Sequence, residues 1–490
     1  MAVAATAANQ TATSATPAAS SATTDCDTLA PLPGVPANAR RVTEFGALPN
    51  DDIADDPAIA AALSALQPGD WLVFPPGRYL QSKSIVITTP GVTVWGAGAQ
   101  LHATNPLDHT VSLQADGVRL YGFTLTAVTD VRRSAVEQTR ISIYRDWTRP
   151  GLQTGNVVRG NTVTFEASLG DTPALANSAG GAGILVSQAS DFTLADNTVR
   201  RPLADGIHIT GGSRNGRVIN NTVRESGDDM IAVVSYLGSG WQQRLTNNAA
   251  ARGAVERGDT QVSNVLIQGN DVADNYWGRG IAVVGSRHIT VRDNRIDHTA
   301  MGAGVLVAQE GGWGTPGPRH VWIHGNHISR VQNGAPPYVP AGLAFAGLRS
   351  RLLAGLRAGH GAIEVHAIQN SAANAHHLAL APLLALQNIT ITDNLIADTA
   401  VDGVRIGVDS IAALMQHITV AGNQLQRVTG ASISNLLGPA RPIACSHNTR
   451  DGRAVSAVGC VALPAAGSAL LGAEVGVNVG ASLNCKALRE

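Results

Sequence analysis

The chain has 490 residues and a formal net charge of -1. That balance supplies no overall electrostatic drive toward nucleic acid, and no run of about 18 apolar residues marks a membrane span. Glycine at 53 positions with an aromatic share of 4% fits many short strands joined by tight corners.

Residues 1–40 read as a flexible N-terminal tail. The first 25 are Ala/Thr/Ser-rich and lack both a basic n-region and an apolar h-region, as expected of a mature N-terminus whose signal peptide has been removed. Residues 41–83 read as a cap. Asp56 is the expected N-cap of a short helix with Pro57 at its first position, and the helix runs from Ala58 to Leu66. A turn at Gly69-Asp70 leads to a strand, Trp71–Phe74, that stops at Pro75-Pro76-Gly77. Asp51, Asp52 and Asp55 read as loop and capping acids. This ordered series (FGA, then DD, then AI, then FPPGRY) resembles the opening of the pectate-lyase-like β-helix proteins, where it caps the first turn of a solenoid. The resemblance implies a fold and carries no activity.

From Ser84 the chain repeats itself. A short apolar strand followed by (G/D/N)-N-x-(V/I/L) recurs at Asn161, Asn197, Asn221, Asn270, Asn294, Asn326, Asn394 and Asn423. Where no insertion intervenes the period is 24 residues, as from Asn197 to Asn221 and from Asn270 to Asn294. That length suits one coil of three short strands. Alternation turns Ile289, Val291, Ile389 and Ile391 inward and Thr290 and Thr390 outward. The recurring asparagine reads as a stacked corner residue, its amide bonding the next coil and its backbone tolerating the left-handed region.

A second element opens each coil: AGILV at 182–186, DGIHI at 205–209, DMIAV at 229–233, RGIAV at 279–283, AGVLV at 303–307, GAIEV at 361–365 and DGVRI at 402–406. One column then reads Ala182, Asp205, Asp229, Arg279, Ala303, Gly361, Asp402. Three positions on, an outward column reads Leu185, His208, Ala232, Ala282, Leu306, Glu364, Arg405. Such rungs sit about 4.8 Å apart, so Asp205 and Asp229 stack, with Asp228 beside them. Insertions at 131–156, 235–262 and 335–387 interrupt the coils and are expected to wall a groove. The last carries a helix face of Leu343, Phe345, Leu348, Leu352 and Leu356, expected to pack on its own solenoid. Trp147, Tyr236 and Trp241 lie in the first two insertions, and Trp241, Tyr276, Trp277 and Trp313 are expected as aromatic tips able to stack on sugar rings.

Three acids on neighbouring rungs oppose folding unless they bind a metal, share a proton or do chemistry. Glycoside hydrolysis needs one carboxylic acid to protonate the leaving oxygen and a carboxylate to activate water or attack. Mutual repulsion can keep one of three protonated near neutral pH.

The lone acid of Asp205-Gly206 and the pair in Gly227-Asp228-Asp229 on the next coil resemble the inverting β-helix glycosidases: polygalacturonases, β-helix dextranases and α-1,3-glucanases. Together with the cap, the resemblance spans about residues 41–430. It implies an all-β chain, a single-stranded right-handed parallel β-helix with a capping helix and loop or helix insertions. It also implies Asp229 as general acid, with Asp205 and Asp228 positioning and deprotonating the water. Polygalacturonases carry Asn-Thr before that Asp-Gly, where this chain has Leu203-Ala204. They carry His-Gly on the following coil, where it has Arg279-Gly280. Their Arg-Ile-Lys is echoed only by Arg405-Ile406-Gly407, several rungs away. The galacturonate-reading residues are therefore missing, and pectin is not the expected substrate.

The solenoid is expected over 84–440, with 441–490 as a C-terminal cap. Cys26, Cys445, Cys460 and Cys485 lie outside the central repeats, which points to disulfides pinning the ends and to a secreted or periplasmic protein. His208, Arg279, Glu364, Arg405, Tyr236, Trp241 and Trp277 are the expected substrate contacts. His360, His366, His376 and His377 lack a metal-ligand spacing. The expected partner is a polysaccharide or oligosaccharide, with no nucleic acid; monomer and homo-oligomer both stay open. A hydrolase needs no cofactor. The alternative enzyme is a uronate lyase, with calcium on Asp205, Asp228 and Asp229 and Arg279 as base. A non-catalytic carbohydrate-binding solenoid is the third reading.

Overall fold

Each 24-residue period folds as one coil of three short strands. In one of them Thr193–Ala195, Thr198–Arg200 and Ile207–Thr210 follow one another around the axis and pair in parallel with their counterparts one coil on. The structure is a computed structural model. It describes residues 29–129, 131–145, 150–164, 178–340, 345–368, 380–408, 410–438, 441–455 and 460–462. The 1–25 tail, Cys26, Trp147, Leu343, His376, His377 and Cys485 lie outside them. The unit from Gly34 to Leu483 is the one considered below.

Among the described residues the strands stack into three sheets of 16, 13 and 11 strands, all parallel apart from one terminal hairpin pair. Between the sheets runs a column of aliphatic side chains. Leu120, Val158, Leu194, Val218, Ile267, Val291, Ile323, Ile391 and Val420 occupy successive rungs and are fully buried. A strand covered on its inner face only needs one apolar residue in two, which is the alternation the sequence carries. Thr290 and Thr390 face away from this core, yet stacked neighbours on the outer surface cover them as well.

The corner asparagines form a continuous ladder. Asn161, Asn197, Asn221, Asn270, Asn294, Asn326, Asn394 and Asn423 each donate both backbone N–H and side-chain amide to the Oδ1 of the next, at 2.9–3.1 Å, and Asn448 ends the series. The left-handed backbone does not fall on these asparagines. It falls on the residue before each one, Gly160, Asp196, Asn220, Gly269, Asp293, Gly325, Asp393, Gly422 or His447, with φ between 52° and 67°. This explains why glycine, aspartate and asparagine alternate there, since these types enter the left-handed region most easily.

The N-terminal helix runs Asp56–Ser64 and buries Ile59 and Ala62 over the end of the core. Its N-cap position is Asp55, one earlier than expected, with no side-chain capping bond, and the Asp56 carboxylate accepts the backbone N–H groups of Ser82 and Lys83. Asp55 accepts those of Leu48 and Leu80, tying the cap to the first coil. At the other end a disulfide joins Cys445 to Cys460 on the last two strands of the 16-stranded sheet.

The insertions are more structured than their composition suggests. The 131–156 stretch contains a rung, Ile141–Tyr144, and 235–262 folds into two helices, Trp241–Asn247 and Ala249–Arg257. The 335–387 stretch is split by another rung, Ile363–Ile368. Its helix, Ala346–Leu353, packs on its own solenoid through Leu352, against Tyr276 and Val339.

The ladder makes a measurable prediction. Asn270→Ala removes side-chain bonds to Asn294, Val218 and Asn221 and leaves buried partners unsatisfied, for an expected loss of about 2–4 kcal/mol. His327→Ala, on an exposed outward position, should stay within about 0.5 kcal/mol in the same urea titration.

Candidate active site

The opening column of each coil brings the acids together. Pairing of Ile207 with Ile231, and of Ile231 with Ile281, places Asp205, Asp229 and Arg279 on three successive rungs. Glycine follows Asp205 because a Cβ at Gly206 would lie 2.5 Å from the carbonyl oxygen of Met230 on the next coil. Gly227 lets the Asp228-Asp229 turn lie flat on the preceding coil, since a Cβ there would fall 2.3 Å from the Leu203 carbonyl oxygen.

Part of the acids' bonding is structural. Asp205 Oδ1 accepts the backbone N–H of Asp229 at 3.1 Å, and Asp229 Oδ1 accepts that of Arg279 at 2.8 Å. Asp402, in the same column but outside the cleft, does the same for Ala431 at 2.8 Å. What distinguishes the pair on adjacent rungs is the surrounding charge. His208 Nδ1 lies 2.8 Å from Asp205 Oδ2, and Arg279 Nε lies 3.2 Å from Asp229 Oδ1 while its other end faces Glu310 at 3.4 Å. Arg132 reaches from the first insertion to pair with Asp228. The three carboxyl groups present oxygens within 4.8 Å of one another.

These surroundings push the acids apart in acidity. Burial drives Asp229 well above its ordinary value of 3.8; Arg279 opposes this and the charges of Asp228 and Asp205 add to it. Burial also raises Asp228, and Asp205 reinforces the effect against Arg132 and Arg279. Burial pushes Asp205 up too, but His208, Arg132 and Arg279 outweigh it and leave its carboxyl below the usual range. The site thus sets a carboxyl whose proton is held more tightly, Asp229, beside one whose proton is held less tightly, Asp205.

The cluster lies in a cleft of about 470 Å³. Six of the residues expected from sequence line it: Asp205, Asp228, Asp229, His208, Arg279 and Tyr236. Four are not brought to it. Glu364 is completely buried, and a carboxylate without water needs partners, which the Arg405 guanidinium at 2.9 Å, the Gly361 backbone N–H at 2.8 Å and His366 Nδ1 at 3.4 Å provide. Arg405 is thereby engaged in the same ion pair. Trp241 is 5% exposed at the start of a helix and packs into the core, and Trp277 packs beside Tyr276 and Leu352. Arg132, Tyr144 and Glu310 line the cleft without having been singled out, and Trp313, 72% exposed, is the tryptophan that reaches it, alongside Tyr236. Arg132 was one of several arginines in a polar insertion, and nothing in its local sequence says that it meets Asp228, 96 residues on.

A calcium site fits this donor set poorly. Calcium takes six to eight oxygen ligands, about 2.3–2.6 Å away. Here both oxygens of Asp205, one of Asp228 and one of Asp229 already face N–H or imidazole groups, and two guanidinium groups stand where a cation would need space.

Residues 182–339 match the family model described as the right handed beta helix region. The chain is a right-handed parallel β-helix. Solved structures of this fold similar to it include the catalytic unit of a thermostable GH87 α-1,3-glucanase from Streptomyces thermodiastaticus strain HF3-3. Its TM-score is 0.58 at 18% identity, over 89% of this chain and 68% of that one. A GH87 α-1,3-glucanase catalytic domain in complex with nigerose gives 0.54 at 14%, over 89% and 70%. The A-module of the Azotobacter vinelandii mannuronan C-5 epimerase AlgE4 gives 0.53 at 15%, over 84% and 100%. No curated protein matches the sequence significantly. At these identities the likeness is one of fold.

The charge pattern predicts a stability signature. Asp229 titrates higher folded than unfolded, so the folded state binds the extra proton and stability falls as pH rises from about 3.8 through the folded value. Asp229→Asn removes that titration and should melt higher than the parent at pH 7, by about 0.5–2 kcal/mol. A calorimetric pH series should show the advantage shrinking to nothing toward pH 4.

Proposed function

We propose that this protein is a glycoside hydrolase that cleaves a neutral polysaccharide with inversion of configuration. The observation that carries the reading is the stacking of Asp205 and Asp229 with Asp228 in one cleft, their oxygens within 4.8 Å, in surroundings that raise the pKa of Asp229 and lower that of Asp205. Asp229 donates its proton to the leaving glycosidic oxygen, and the Asp205–Asp228 side of the cluster handles the attacking water. The same constellation in the β-helix glycosidases that the sequence resembles supports this assignment, as does the fold shared with α-1,3-glucanases. Arg132 and Arg279 are ion-paired to Asp228, Asp229 and Glu310, which favours a neutral sugar over a uronate needing cations of its own. The Cys445–Cys460 disulfide supports an oxidising compartment and hence secretion or a periplasmic location.

Calcium-assisted elimination is the weaker reading, because the carboxylate oxygens it would use are engaged. A panel of α-1,3-glucan, other neutral glucans and uronate polymers separates the two, read by mass spectrometry and ultraviolet absorbance with and without chelator. Saturated products that are indifferent to chelator are expected, with proton NMR of the first-formed reducing end showing the inverted anomer. Asp229→Asn should lower the rate by about 10²–10⁴. Unsaturated, ultraviolet-absorbing products would reject hydrolysis.

Trp313 stands at the cleft as an exposed ring on a short helical turn, Gly311–Trp313. Trp313→Ala should raise KM by about 3–10-fold, the value of one lost aromatic contact, without moving the melting temperature.

A further inference from the structure

The cleft stops at one end. Along one outward column of the 11-stranded sheet, Leu185, His208 and Ala232 floor it on successive rungs. The same column goes on through Ala282, Leu306 and Glu364, which are wholly buried and do not line it. The neighbouring outward column ends likewise: Val284 lines the cleft, and Ala308 and His366 on the next two rungs are sealed. In the other direction the floor stays open. Tyr144 and Gln114 are half-buried, and Thr88, next in their column, is exposed.

What stands at the closed end is an ion pair laid across the sheet. Arg279 sits two residues before the strand Ile281–Val284, and Glu310 is the last residue of the strand Val305–Glu310 one rung on. Their side chains meet at 3.4 Å, with Ala282 and Leu306 between the two anchor points. A Cβ on Gly302 would lie 3.0 Å from Arg279 Cγ, so the stem of the arginine leans onto the following coil. Asp229 Oδ1 lies 3.2 Å from its Nε. A guanidinium held by a carboxylate on either side acts as a fixed bar, because its planar fork binds in set directions.

We propose that the Arg279–Glu310 pair closes the C-terminal end of the cleft, so that the protein attacks chain ends and releases a product of one fixed, short length. This rests on the hydrolase reading and deepens it by assigning where on the polymer the cut falls. Asp229 and Arg279 stand on successive rungs, about 4.8 Å apart along the axis. That step is comparable to the length of a single pyranose unit, so the space between the carboxyl cluster and the bar takes one unit. The remaining chain extends over His208, Leu185 and Tyr144 toward the open side. An internal unit would need a further sugar where Arg279 and Glu310 stand. A terminal unit instead ends there in a hydroxyl, which can donate to the carboxylate and accept from the guanidinium.

The test uses the full chain on whichever glycan it cleaves, with products sized by chromatography from the earliest time points. One short product should appear from the start, and the viscosity of a long glycan should fall only in step with the sugar released. At equal mass and below saturation, chains about tenfold longer should react about tenfold more slowly, because the rate follows the concentration of ends through kcat/KM. Glu310→Ala takes away one end of the bar and should add longer oligosaccharides to the first products. Glu310→Gln, which keeps the length of the side chain, should keep the parent's single product. Mixed lengths among the parent's first products would overturn the proposal and leave the hydrolase reading intact, whether or not the variants fold. So would a folded Glu310→Ala protein with the parent's product pattern. Unsaturated products of one length would reject hydrolysis and uphold the closed end. A parent that cleaves no glycan overturns both.

Discussion

The asparagine ladder holds the coils in register, and everything else in this molecule depends on that register. Each ladder amide sits at the same corner of its coil and takes two hydrogen bonds from the coil before it, so one coil cannot slip along the next without breaking buried bonds. A slip of one residue would also turn every inward aliphatic outward. With register locked, residues 24 apart meet at a rung spacing. Asp205 and Asp229 then come into contact without any local interaction that would draw two like charges together.

Holding such a cluster works against stability, and the surroundings show how the molecule tolerates it. Burial raises the pKa of one acid, an imidazole faces another, and Arg132 and Arg279 approach from different elements. Asp402 serves as an internal comparison. It makes the same bond to the next coil, and its second oxygen takes the Ser434 hydroxyl at 2.8 Å. A single aspartate in this column is therefore an ordinary structural feature. Chemistry begins when two adjacent rungs carry one and an insertion brings cations and aromatic rings to the same face.

The insertions thus supply most of what distinguishes this solenoid from a bare one. The first contributes Arg132, the short turn after Glu310 contributes Trp313, and the helix at Ala346–Leu353 buttresses Tyr276 beneath the Gly227-Asp228 turn. The core coils define a line of positions, and the insertions decide which of those positions are open to a ligand. Glu364 shows the converse: on the same outward column as His208, it is sealed from water and paired with Arg405.

The amino-acid sequence by itself determined the solenoid, its coil length, the register of its opening strands and the stacking of Asp205 on Asp229. All of these follow from a repeat whose period and alternation are written in the chain, because coil stacking is local and periodic. The left-handed residue at each corner was misplaced by one position, since the pattern names the pair but not which member bends. Only the tertiary structure decided that Arg132 meets Asp228, that Glu310 joins Arg279, that Trp313 rather than Trp241 faces the cleft, and that Glu364 is buried. Those contacts join insertions to coils far away in sequence, where neither period nor propensity constrains the path, so the packing of the whole chain has to choose them.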